Sequence, residues 1–146
     1  MLDYKYEAKK KLEDYEAKCR ALGNIPEEIK RLELDFQLIK SATSDGTPVQ
    51  GGGSRREDAM LSNIATREEL ANTLEQTKRW VKMVEDGLVV LDEDERLILQ
   101  RMYISREKGG VDRLCESLCK ERSAIYAQRD KALRKFTLAL YGMTEN

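Results

Sequence analysis

The chain has 146 residues and a formal net charge of −1, with 36% charged and 40% apolar residues, two prolines and nine glycines. That size allows one ordinary domain or two small ones, and the balance favours long solvated helices over a deep sandwich or barrel core. Histidine is absent, so a metal centre would need carboxylates or a second chain to complete the ligands of Cys19, Cys115 and Cys119, which read better as small packing residues.

The longest apolar run, GLVVL, is far too short to span a bilayer, and no secretory signal pattern is present. A cytoplasmic location is expected, with no membrane partner. No cofactor or enzymatic activity is expected either. The chain carries no nucleophile elbow, and the acid pairs Glu27–Glu28 and Glu68–Glu69 are expected at helix starts, where the dipole favours them.

The first forty residues carry two apolar stripes. Ala8, Leu12, Tyr15, Cys19 and Leu22 recur at spacings of four and three, and so do Ile25, Ile29, Leu32, Phe36 and Ile39. Gly23 reads as the stop of one helix, and Asn24 with Pro26 as the start of the next, which makes a helical hairpin. Each stripe is too narrow to form a core alone, so a third helix or another chain must cover it.

Residues 43–56, TSDGTPVQGGGSRR, read as a Gly-rich loop. A Walker-type phosphate loop would need Gly-Lys-Ser/Thr after a strand, and both are missing. Ser54 with Glu57 fits a capping box instead. Arg55 and Arg56 are placed to touch nucleic-acid backbone. A long helix is expected from about Glu57 to Leu88, with Thr66 and Glu69 marking a break near Ala65. Trp80 reads as a packing residue at the edge of the bundle.

The segment after Leu91 differs in kind. Asp92 can cap a helix with Leu97, Ile98, Met102 and Tyr103 inward, and Gly109 and Gly110 close the gap that follows. Leu114, Cys115 and Leu118 give a short helix one apolar side. The last helix is expected to bury Ile125, Ala132, Leu133, Phe136 and Leu140. A short helix, a tight turn and a longer basic helix are the parts of a helix-turn-helix.

On a helical wheel, Ser123, Ala127, Asp130, Lys131 and Arg134 fall opposite the apolar side, with Tyr126 at the border. Together with Arg122 they are the candidate DNA-binding residues. Arg122, Lys131 and Arg134 suit phosphates, whereas Ser123 and Tyr126 can donate to phosphates or bases. Small Ala127 permits close approach to the groove. Asp130 can accept from cytosine or pair with a basic neighbour on the helix. Arg129 falls among apolar positions and either reaches DNA or pairs with Asp112 or Glu116 across the turn.

LDEDERLILQRMY followed by VDRLCESLCKERSAIYAQRDKAL resembles region four of bacterial sigma factors. With TPVQGGGSRREDAMLSNIATREEL upstream, the chain more closely resembles phage late transcription regulators of the ArpU and RinA type. The resemblance implies an all-α fold: a coiled-coil-like hairpin and long helix, then a sigma-region-four-like helix-turn-helix. It departs at Cys119, where the turn usually carries Gly, at Glu121, where the cap is usually Ser or Thr, and in the longer gap ISREKGG.

The expected organisation is a helical oligomerisation region over 1–90 and a DNA-binding domain over 91–146. The leading functional expectation is a sequence-specific regulator that binds double-stranded DNA, forms homo-oligomers through its N-terminal helices and activates phage or prophage late genes. Two alternatives stand beside it: a small terminase-like DNA-packaging subunit, and an adaptor that binds RNA polymerase without binding DNA.

Overall fold

A computed structural model describes residues 2–42 and 52–144, with side chains in the second stretch from residue 55 onward. Every regular element among the described residues is helical: α1 (Tyr4–Ser41), α2 (Gly52–Val89), α3 (Glu93–Leu99), a π-helical turn (Gln100–Ile104), α4 (Gly110–Leu118) and α5 (Arg122–Tyr141). No helix among the described residues is long and apolar enough to cross a membrane.

Asp3 starts α1 by accepting the Tyr6 backbone N–H at 3.1 Å, as an N-cap carboxylate does. The expected break at Gly23 is not there; α1 runs through Pro26 to Ser41. An interior proline removes one backbone hydrogen bond and costs about 3 kcal/mol. Glu27 and Glu28, expected at a helix start, lie mid-helix and pair with Lys30 and Arg31. Such exposed pairs contribute little. Packing therefore carries the helix past the proline, and Ile25, Ile29, Leu32, Phe36 and Ile39 are all half-buried.

The second helix begins earlier than expected. Residues 52–56, read as loop, are helical, so Ser54 lies inside α2 and not ahead of it as a cap, while the remaining loop reading at 43–51 lies outside the described residues. No break occurs near Ala65. Thr66 donates its hydroxyl to the Ser62 carbonyl inside α2, and Glu68–Glu69 are interior too. Arg56 donates to the Lys40 carbonyl at 3.2 Å, so its guanidinium serves the C-terminus of α1.

The chain divides into two compact units. One comprises Met1–Cys19 with Arg79–Asn146, and the other Arg20–Lys78. In the second unit the α1–α2 contact includes a polar cluster. Asn63 donates to the Leu32 carbonyl at 2.8 Å and accepts from Arg67, whose guanidinium lies 5.0 Å from the Phe36 ring centre.

The first unit holds two apolar cores. The larger one joins Ala8 and Leu12 of α1, Val84 of α2, Leu91, Leu99 of α3, and Ala132 and Phe136 of α5. Trp80 packs on it, half-buried, under the Lys18 ammonium. The smaller core is Ile98, Leu114 and Ile125, flanked by Leu97, Met102 and Leu118. Helix α5 contributes to both. The four residues expected inward on α3 and its continuation are thus divided, Tyr103 to the larger core and the other three to the smaller.

Gly87 of α2 lets α5 come close. A Cβ there would sit 2.9 Å from the Phe136 ring and 3.1 Å from Leu140 Cδ2. A Cβ on Gly23 would meet nothing within 4 Å. Alanine is better than glycine in a helix by about 1 kcal/mol, whereas overpacking a core typically costs about 1–3 kcal/mol. Gly23→Ala should therefore raise the urea midpoint and Gly87→Ala should lower it, in parallel equilibrium unfolding experiments.

Candidate nucleic-acid interface

Four local devices set the position of α5. Asp92 caps α3 in a full capping box: its carboxylate accepts the Glu95 N–H at 2.8 Å, and Glu95 accepts the Asp92 N–H at 3.1 Å. That backbone donor, ahead of any neighbouring charge, holds the Asp92 carboxyl below its ordinary value. Glu95 is only 2% exposed, and its Oε1 also accepts from Lys135 of α5 at 3.0 Å. Its Oε2 is buried without a partner. The ion pair ties α3 to α5.

The turn between α4 and α5 supplies the third device. Cys119 takes a left-handed conformation, φ 53° and ψ 46°, and both its N–H and that of Lys120 donate to the Cys115 carbonyl. Among the described residues it is the one non-glycine with positive φ. Its thiol is exposed, whereas Cys19 and Cys115 are half-buried, and all three are free. Cys119 is thus a turn residue beyond the end of α4, not a packing thiol on the Cys115 face. Lys120 fixes the turn from the other side, donating to Gln128 Oε1 at 2.6 Å.

The fourth device is an ion pair across the turn, one of the two roles that the sequence left open for Arg129. Asp112, at the start of α4, bonds Arg122 at 2.8 Å, so the contact across the turn belongs to Arg122 and not to Arg129. Tyr126 and then Asp112 hold the Arg122 guanidinium above its usual value. Arg129 stays on its own helix: it bonds Asp130 Oδ1 through Nε at 3.0 Å and Nη2 at 2.9 Å, and lies 5.0 Å over the Tyr126 ring.

The apolar side of α5 is packed as its spacing requires. Ile125, Ala132 and Phe136 are fully buried, with Leu133 and Leu140 half-buried. Arg122, Ser123, Ala127, Asp130, Lys131 and Arg134 are exposed, and Tyr126 is half-buried at the border. These residues share one helix but not one state. Arg122 and Asp130 are engaged in ion pairs, while Lys131 and Arg134 make none among the described residues. The arrangement leaves a solvent-facing strip of small and cationic side chains on a helix fixed along its opposite side.

A family model described as a protein of unknown function, DUF1492, matches residues 38–137, more than half of the chain. The chain belongs to the DUF1492 family. The matched span covers α2 through most of α5, so it contains the turn at Cys119, the capping box at Asp92 and the Glu95–Lys135 pair. No curated protein and no solved structure matches this DUF1492 chain.

The sequence did not single out Arg101, Arg106 and Lys108 as a group. They lie with Lys9, Arg122 and Arg129 around one cavity beside α5. The signal available was the pair of cations just before Gly109–Gly110 in the gap, which sequence spacing alone leaves unplaced.

A non-glycine residue in the left-handed region costs roughly 1–2 kcal/mol, partly offset by the larger entropy that glycine loses on folding. Cys119→Gly should accordingly stabilise this DUF1492 chain by about 0.5–1 kcal/mol. Cys119→Val should destabilise it. Both are read from denaturant midpoints under reducing conditions.

Proposed function

We propose that this DUF1492 chain is a sequence-specific DNA-binding transcription regulator, of the phage or prophage late-gene kind that its sequence resembles. Residues 91–146 act as the helix-turn-helix domain and α5 as its recognition helix. One observation carries the reading: α5 follows α4 after a tight turn, buries Ile125, Ala132 and Phe136, and leaves Ser123, Ala127, Lys131 and Arg134 exposed. A helix that enters a major groove needs that division, with small and hydrogen-bonding groups on its first turns and cations toward the flanks.

In this reading Lys131 and Arg134 hold phosphates, Ser123 and Ala127 face the base edges, and Tyr126 donates its hydroxyl at the groove wall. Arg122 and Asp130 support them through their pairs with Asp112 and Arg129. Selection of bound fragments from phage and bacterial genomic DNA should then enrich a defined set of sites. Lys131→Ala and Arg134→Ala should each weaken binding to every sequence and make the salt slope shallower by about 1. Unchanged affinity in both variants, or a wild-type protein with no salt dependence, refutes the assignment.

The hairpin of α1 and α2 is proposed to join copies of the chain, so that two recognition helices meet two half-sites. In Arg20–Lys78 the buried residues described are Asn63 and Thr77, both polar, whereas Leu34, Leu38 and Leu61 are 67%, 69% and 64% exposed. Mass in solution should be that of a dimer or a small oligomer, and Leu34→Glu with Leu38→Glu should reduce it to one chain. A monomeric wild type refutes the assembly, and a ring of eight or more subunits would favour a DNA-packaging role instead.

A further inference from the structure

An open cavity of about 710 Å³ lies beside α5 in the first unit. Six cations line it against two carboxylates, Glu107 and Asp112. Both carboxylates are already engaged, Glu107 by Arg113 and Asp112 by Arg122. Arg101, Arg106 and Lys108 have no ion-pair partner among the described residues, so a net positive potential is left unbalanced there.

Part of the remaining wall also offers donors. Gly109 and Gly110 bring the first turn of α4 to the edge of the cavity; the Gly110 N–H donates to the Glu107 carbonyl, and the N-cap Gly109 has no side chain to accept from the N–H groups that follow. Burial raises the Tyr103 phenol above its ordinary value, so at neutral pH it keeps its proton and remains a donor. Guanidinium forks, an ammonium and free backbone N–H groups together match a phosphate group.

We propose that this cavity binds a backbone phosphate of the DNA duplex whose groove α5 enters. The assignment rests on the DNA-binding reading above and adds to it a contact that α5 does not supply. Continuity supports the choice of ligand. Arg122 and Tyr126 belong both to the cavity wall and to the outward side of α5. A duplex laid on that side thus has its flanking backbone next to Arg106 and Lys108. The contact is blind to sequence and would fix the register in which α5 meets the bases.

The test uses the full chain, a duplex carrying a selected site and an unrelated duplex of equal length, with fluorescence anisotropy over a range of salt. Arg106→Gln with Lys108→Gln removes two exposed side chains that make no ion pair, and a thermal melt checks that the fold is kept. Affinity for both duplexes should fall together by about tenfold or more, and the salt slope should become shallower by about 2. Arg20→Gln with Arg79→Gln, exposed cations outside the cavity, should leave both quantities unchanged.

If the wild type binds DNA and the cavity variant matches it in affinity and slope, the phosphate site is wrong and the DNA-binding reading stands. An equal loss in the Arg20 and Arg79 variant would reduce the effect to bulk charge and also overturn the site. So would a loss confined to the selected duplex with an unchanged slope. A wild type that binds neither duplex sinks both proposals together.

Discussion

The side of α5 that meets solvent is decided by the side it buries, and that depends on Phe136 reaching α2 where Gly87 has no side chain. The ring is fully buried, worth roughly 1.5–3 kcal/mol of transfer free energy, and it shares its core with Ala8, Leu12 and Val84. Any bulk at Gly87 would push the ring outward and rotate or lift the helix. Rotation by one residue would turn Ala132 toward solvent and draw Lys131 inward. The contact lies on the side of α5 opposite the candidate DNA-facing residues, yet it sets the direction in which each of them points.

A second constraint acts along the same helix. Glu95 closes the capping box of α3 and receives Lys135 of α5 on the same oxygen. A buried carboxylate with one satisfied oxygen is not a device for maximal stability, since an apolar pair of similar size would often do as well. It does fix geometry. The Lys135–Glu95 contact favours axial settings of α5 against α3 that keep the two side chains within reach, a preference that apolar packing alone does not supply.

Much of the all-helical architecture was legible because helical periodicity survives in the sequence. The two stripes of α1, the cap at Asp92 and the buried side of α5 were all readable from spacing and residue type. Two kinds of feature were not. Gly23 and Pro26 carry strong local stop signals, but packing of Ile25, Ile29 and Leu32 overrides them. A helical wheel gives the direction of a side chain but not its reach, so it left Arg129 between DNA and an acid across the turn, where Arg122 makes the contact. The cavity lies beyond any one-dimensional signal, because its cations come from α1, the π-helical turn, the gap and α5.

The first compact unit is discontinuous in sequence, with Ala8 and Leu12 at one end of the chain and Ala132 and Phe136 at the other. During synthesis its earliest residues can meet Val84, Leu91 and Leu99 first, but their core stays open until Ala132 and Phe136 of α5 have emerged, and those last contacts close a loop that contains nearly all the rest. The smaller core of Ile98, Leu114 and Ile125 spans a far shorter stretch and can assemble first. The α4–α5 pair would then exist as a preformed element before the ends of the chain are joined. An interrupted nascent chain would carry that pair without the support that orients it.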